Sequence, residues 1–322
     1  MRTLEKAIAF NGAYRNSWKE YFGALTRAQI ESRLSKLTSG LDAESTELCR
    51  TQVELVPYFF PNPILEKLFI SDIAKKELLP IKTANTLEKA GFFGREQECL
   101  DKLHRDLDLP EQPLPELILH SGLKYISQIA RDRIGGKAVI DGGAYIGDTA
   151  KLFHTYYSPE KIYAIEPEKK SYETLCTLVE QWNLSEAIVP LRRLLSDTEG
   201  IGALWGTGVG ASTLKKEGED AIPYDVLPSS TVDSIVHEFS IPSVGLIKLD
   251  VEGNELAAVL GALETLKRDR PVLLISIYHT ARDFFEIKPI IENENLNYKF
   301  LVRKVSHDLM KEVVLIGIPT GY

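Results

Sequence analysis

Cysteine is scarce. Cys49, Cys99 and Cys176 are the only three in 322 residues, far apart and odd in number, which excludes a disulfide framework, a Cys-x-x-Cys redox or metal pair and a cysteine-ligated iron–sulfur centre. Long apolar runs are missing too. No stretch approaches the ~18 uninterrupted apolar residues of a membrane span, and the charged N-terminus lacks the apolar core of a signal peptide. Positive charge falls short of negative, with 38 Lys and Arg against 46 Asp and Glu and a net charge of -8. With no lysine–arginine run besides, a broad nucleic-acid surface is excluded. The expectations are no membrane, no nucleic acid, a cytoplasmic setting and a small-molecule partner.

A hydrophobic fraction of 44% and a charged fraction of 26% are those of an ordinary globular protein, and the length suits one large domain or two modest ones. Texture changes along the chain. Residues 1–115 are rich in helix formers and read as a helical accessory region, whereas residues 116–322 alternate apolar strands with amphipathic helices and read as one Rossmann-like α/β domain. In the first region helices are expected over 26–36, opened by Thr26, and over 43–56, 64–79 and 95–107. Pro110, Pro113 and Pro115 make a stiff connector. A helical stretch over 116–133 follows, interrupted near the site mouth by His120-Ser121-Gly122. Tyr58-Phe59-Phe60 reads as core packing. The N-terminal helices also offer a route to a homo-oligomer, since an amphipathic helix packs within a subunit or between two.

The second region is organised around Val139-Ile140-Asp141-Gly142-Gly143-Ala144-Tyr145-Ile146-Gly147-Asp148-Thr149. A short apolar run stops at an acid, enters a glycine turn and leaves as a helix beginning at Gly147 or Asp148. Glycines let backbone approach a ligand, and the helix start aims free N–H groups at it. The spacing departs from the dinucleotide fingerprint G-x-G-x-x-G, because Ala144 stands at its middle glycine. Acid-x-Gly-x-x-x-Gly, with Asp141, Gly143 and Gly147, is the better match. An acid there repels a pyrophosphate and suits cationic or hydroxyl groups. S-adenosylmethionine offers an ammonium, a sulfonium and a ribose diol, and no phosphate. A nicotinamide-dependent oxidoreductase is disfavoured by Ala144 and Asp141, and a purely structural strand–turn–helix stays open at this point.

Further strand ends carry polar residues in the same way. The strand over 161–165 ends in Glu166-Pro167, about 20 residues past the turn, where an acid grips ribose hydroxyls in doubly wound folds. A third strand over 187–191 leads to Ser196-Asp197, which borders the adenine end of the same crevice. The glycine-rich stretch 202–214 reads as a turn-rich strand pair or a loop closing over a substrate. The strand over 244–249 contains Lys248 and runs into Asp250, Glu252 and Glu255, with a helix over 254–266 beyond. A lysine in an apolar strand is costly unless paired, so Lys248 is expected to meet a carboxylate. Three acids at one strand end exceed what capping needs. Asp250 is therefore expected as proton acceptor or as the residue orienting it, with Glu252 beside it and His279, after the strand over 271–277, as the runner-up. No metal site is assigned, although Asp250, Glu252 and Glu255 form a set that a divalent cation would also use. Two antiparallel strands are expected over 298–303 and 313–318.

Together residues 137–318 resemble the FkbM family of S-adenosylmethionine-dependent methyltransferases. The resemblance rests on the block from Val139 to Asp148, on Tyr163-Ala164-Ile165-Glu166-Pro167, on Leu195-Ser196-Asp197 and above all on Ile247-Lys248-Leu249-Asp250-Val251-Glu252-Gly253-Asn254-Glu255. Gly142 and Tyr145 depart from the Val and Asn of many members, and Asn254 from the common Ala. The resemblance implies a class I methyltransferase sheet of seven mostly parallel strands, the last antiparallel, and O-methylation of a hydroxyl on a sugar or secondary metabolite. It also implies a cofactor site made by Asp141, Gly142, Gly143, Ala144, Tyr145, Gly147, Asp148 and Thr149, in which Asp141, Gly143 and Gly147 hold the amino-acid end. Glu166 with Pro167 would hold the ribose, and Ser196 with Asp197 the adenine. The rival outside catalysis is an adaptor that binds S-adenosylmethionine without transferring its methyl group.

Overall fold

Apolar runs bounded by turns become strands in a computed structural model that describes residues 12–59, 96–207, 211–213, 222–306 and 311–321. In chain order they are β1 (Ala138–Gly142), β2 (Lys161–Ile165), β3 (Ile188–Leu191), β4 (Leu194–Leu195), β5 (Gly200–Leu204), β6 (Asp225–Ser230), β7 (Val244–Leu249), β8 (Val272–Ser276), β9 (Tyr298–Lys304) and β10 (Val313–Pro319). Seven of them form a sheet of order β3-β2-β1-β7-β8-β10-β9. Every pairing is parallel except those of β10, which runs antiparallel to both β8 and β9. This is the expected class I sheet. The strand order reverses between β1 and β7, so the carboxyl ends of these two strands open onto a shared crevice.

Strands buried on both faces alternate between two cores. Ile140, Ile247, Leu249 and Ile275 belong to one, and Val139, Leu246 and Leu274 to the other. The first face is covered by α8 (Val232–Glu238), α9 (Glu255–Leu260), α10 (Leu263–Asp269) and α11 (Ala281–Asn293). The second is covered by α4 (Glu96–Leu107), a 3-10 segment (Pro115–Tyr125), α5 (Gln128–Arg131), α6 (Asp148–Tyr157) and α7 (Lys169–Gln181). A small sheet of order β4-β6-β5 lies beside the crevice, with its own cluster of Leu194, Leu204, Ala211 and Leu227.

Helices α1 (Gly12–Gly23), α2 (Arg27–Thr38) and α3 (Ala43–Phe59) share the first core. Thr26 opens α2 with a capping box to Gln29. Trp18 and Phe22 are wholly buried and pack with Phe284 and Phe285 of α11. The Trp18 indole N–H donates to the Tyr278 carbonyl at 3.0 Å. On β9, the Val302 N–H donates to the Ser45 hydroxyl at 2.9 Å and Arg303 pairs with Asp42 at 2.6 Å. The helix expected over 64–79 and the side chains of Tyr58-Phe59-Phe60 lie outside the described residues.

Two expected helices are broken. The stretch 116–133 is a 3-10 segment followed by the short α5, because His120, Ser121 and Gly122 adopt left-handed backbone in succession. The expected 254–266 helix divides into α9 and α10 at Gly261, whose backbone passes so close to Ser196 that a Cβ would lie 2.2 Å from its carbonyl oxygen. Asp233 then accepts from the Glu264 and Thr265 N–H groups at the start of α10. β6 was not foreseen, and Pro228 inside it is a residue that ordinarily argues against a strand. It completes the pairing that the glycine-rich stretch begins, since β5 runs antiparallel to it.

Candidate active site

The β1 acid is locked in place by register. Asp141 and Lys248 are direct cross-strand partners, and their side chains, both buried, meet at 3.3 Å. Asp141 also accepts from the Thr149 hydroxyl at 2.6 Å. Lys248 in turn donates to the carbonyls of Gly142 and Gly143 at 3.2 and 2.7 Å. Burial opposes its charge, but Asp141, Asp250 and Asp148 outweigh that and raise its pKa. The expected partner of Lys248 is thus Asp141, and the pair fastens the glycine turn to β7.

The glycines serve chain-to-chain contact. Gly143 has φ +73°, and a Cβ there would stand 1.8 Å from the Asp250 carbonyl oxygen. Gly147, at φ +91°, caps α6 and faces Leu175. Tyr145 also lies in the left-handed region, and its N–H donates to Glu166 at 2.9 Å. The other Glu166 oxygen accepts the Glu168 N–H at 2.8 Å. Burial pushes the Glu166 carboxyl up to about 7 and that of Asp148 up to about 6.

These residues border a cleft between the carboxyl ends of the strands. Gly143, Tyr145, Asp148, Thr149, Glu166 and Pro167 line it, with apolar Ile165, Leu195 and Leu249. Asp250 and Glu252 line the same cleft. Asp141, Gly142, Ala144 and Gly147 stand behind this lining. Ser196 and Asp197 also lie off it, hydrogen-bonded to each other at 3.2 Å.

The loop after β7 is held from four sides. The Asp250 N–H donates to the Gly142 carbonyl. Glu255, wholly buried, accepts from the Val251 and Gly253 N–H groups at 2.8 and 3.0 Å. Asn254 donates to the Leu195 carbonyl, and the Ser212 hydroxyl to the Glu252 carbonyl. Within this frame His279 is buried with Nδ1 2.8 Å from Glu255 and Nε2 3.5 Å from Glu252 and 3.7 Å from Asp250. Burial disfavours an imidazolium there, but Glu255, Glu252 and Asp250 together override it and raise the pKa to about 10. One atom each from Asp250, Glu255 and His279 lie within 4.8 Å of one another. Both Glu255 oxygens also hold the loop, each accepting one backbone N–H.

Three lining residues carried no readable signal in the sequence. Glu116 comes from the 3-10 segment, Ser276 from the end of β8 and Glu312 from the residue before β10. They are far apart in sequence and belong to no motif. Ser121 lines the cleft from the interruption at His120-Ser121-Gly122, which the sequence placed near the site mouth.

Residues 141–300 match the family described as methyltransferase FkbM domain. No curated protein matches the chain. Among solved structures, FkbM methyltransferase from Methylobacillus flagellatus KT is similar at 18% identity and a TM-score of 0.48, over 69% of this chain and 59% of its own. The match thus spans less than two thirds of that protein. Fibrillarin from Aeropyrum pernix with natively bound S-adenosylmethionine is similar at 13% identity, TM-score 0.41, over 63% and 74% of the two chains. The O-methyltransferase TomG from Streptomyces achromogenes, in complex with S-adenosylmethionine, is similar at 13% identity, TM-score 0.42, over 74% and 96%. By this match, residues 141–300 of the chain are a methyltransferase FkbM domain.

Proposed function

We propose that the chain transfers a methyl group from S-adenosylmethionine to a hydroxyl of a small molecule, with Asp250 as the proton acceptor. One observation carries this reading: a single cleft is lined by Glu166, Asp148 and Gly143 and also by Asp250 with Glu252, and we assign the first group to its cofactor end and the second to its acceptor end. The donor set suits the cofactor. Both Glu166 oxygens keep a lone pair beyond the N–H bonds they accept, enough for a ribose diol. Asp148 offers a buried carboxylate to an ammonium, and the apolar part of the lining suits a heteroaromatic ring. When bound, the cofactor supplies a methyl group already activated on sulfur.

The protein's remaining tasks are alignment and removal of a proton. Alignment of bound reactants contributes up to ~7–11 kcal/mol to lowering such barriers. Asp250 lines the cleft on a loop pinned at both ends, as a positioned acceptor requires. His279, already protonated at neutral pH, serves instead to hold Asp250 and Glu252 in place.

The test joins calorimetric titration with S-adenosylmethionine to a methyl-transfer assay on Asp250→Asn. Retained cofactor binding with transfer reduced about 10²–10⁴-fold is expected. Undiminished transfer would remove Asp250 from the role. Cofactor binding by the unaltered protein without transfer to any hydroxyl acceptor would favour the adaptor.

A further inference from the structure

The acceptor end of the cleft is built for a cation, and we propose that the methyl acceptor is a polyhydroxylated small molecule bearing a protonated amine. The inference rests on the methyltransferase reading of the same cleft. Glu116, Glu312, Asp250 and Glu252 line this end. The cationic side chains on the lining are committed elsewhere, Lys248 to Asp141 and Arg193 to Glu238. From behind it, His279 acts on Glu252, Glu312 and Asp250, Lys304 on Glu312 and Lys311 on Glu252, and burial of Glu312 and Glu252 still outweighs them. The carboxylates are crowded enough to work against one another. Burial and Asp250 raise the Glu312 carboxyl to about 7, and burial and Glu312 raise Glu116 well above the carboxylate range. A bound ammonium relieves that crowding, whereas a phosphate or carboxylate on the acceptor adds to it.

A second observation is independent of charge. Ser121 and Ser276 line the same end and are only 7% and 5% exposed, and among the described residues neither side chain makes a hydrogen bond. Each hydroxyl opens onto the cleft from a residue more than nine-tenths buried, where a ligand can supply the partner that the fold does not. Two of them at one end of a cleft suit an acceptor with several hydroxyls. Ser121 owes its place to the left-handed run, since Gly122 seats that turn against Ile316 and Leu274 of the sheet. Glu116, Ser121 and Glu312 fall outside the matched residues 141–300 and Asp250, Glu252 and Ser276 inside them, so segments flanking the family domain supply part of the selecting set.

The experiment offers the protein, with S-adenosylmethionine, a panel of amino sugars and aminocyclitols. Each is paired with its N-acetylated form and its phosphate ester, and methyl transfer is read by mass spectrometry. In parallel, binding of S-adenosylhomocysteine is measured by calorimetry. Transfer to free amines at least tenfold above the N-acetylated partners is expected. In Glu312→Gln and Glu116→Gln that preference should fall tenfold or more, with S-adenosylhomocysteine affinity unchanged. Equal or greater transfer to neutral or phosphorylated members, or none across the panel, would overturn the proposal while leaving the cofactor reading intact. A response that requires added Mg²⁺ and vanishes with chelator would give the carboxylates to a metal and overturn it as well. Absence of S-adenosylhomocysteine binding would remove both readings together.

Discussion

The two ends of the cleft differ in how their polar groups are satisfied. At the glycine-turn end each buried acid has a protein partner: Asp141 has Lys248 and Thr149, Asp148 has the Thr149 N–H, and Glu166 has two backbone N–H groups. At the acceptor end Glu312 accepts from the Tyr278 hydroxyl at 3.0 Å and His279 faces Asp250 and Glu252, but the Ser121 and Ser276 side chains make no hydrogen bond among the described residues, and burial and Glu312 raise the Glu116 carboxyl. The first end is satisfied within the fold, and we assign the remaining groups of the second to a ligand. Substitutions at the first should therefore register as lost stability, and at the second as lost selectivity.

The largest effect is expected from Lys248→Met, which strands a wholly buried Asp141 carboxylate. Breaking such a pair costs about 3–5 kcal/mol, read as a lowered midpoint in denaturant. Adding Asp141→Leu should restore most of it, and failure to do so would mean that the lysine's bonds to the Gly142 and Gly143 carbonyls matter more than the ion pair. Gly143→Ala comes next. Its Cβ would meet backbone, which cannot swing aside, and its φ is left-handed. A loss of about 2–4 kcal/mol is expected. A stability equal to wild type would show that the β1 and β7 turns can separate without cost.

His279 gives a pH-dependent contrast. Its folded pKa of about 10 lies above the ordinary value of 6.5, so its contribution is fully present below pH 6.5 and is lost as pH rises through 10. Wild-type stability should fall over that window by roughly 1–3 kcal/mol more than that of His279→Gln. Parallel curves for the two proteins would mean that the imidazole is neutral in the fold. The smallest effect belongs to Ser276→Ala. With no hydrogen bond to lose, stability should stay within about 0.5 kcal/mol. A larger loss would place Ser276 with the finished end of the cleft.

Legibility in the sequence follows the same division. The glycine turn, Glu166 after β2, Lys248 and the acids after β7 were readable because local chemistry dictates them at short spacing. The strand over 161–165 was placed to the residue for the same reason, as an apolar run ending at a helix start. Asp141 as the partner of Lys248 needed the sheet register, which spans more than 100 residues. His279 needed it too, since its raised pKa comes from three acids on a different loop. Ser121 was legible only as part of an interruption near the site mouth, and Glu116, Ser276 and Glu312 were invisible for a stronger reason. Each is an ordinary residue in its own segment, and only the packing of the 3-10 segment and β10 against β8 brings them to one place. Breaks such as Gly261 were hidden likewise, because the chain that forces the break is Ser196, far away in sequence.

The position of β10 has a consequence for the order of assembly. It enters the sheet between β8 and β9, which precede it in the chain, and among the described residues β9 has no other neighbour in the sheet. Until residues 313–319 arrive, β9 has no edge on which to dock. The α3 segment, anchored on β9 through Ser45 and Asp42 across 257 and 261 residues, waits with it, whereas α1 has its own seat on α11. Contacts of such sequence separation form late and slowly. Helix α3 and β10 should thus gain protection from hydrogen exchange in one step, after the parallel core from β1 to β8 has closed, so that the sheet keeps an open edge at β8 until β10 docks.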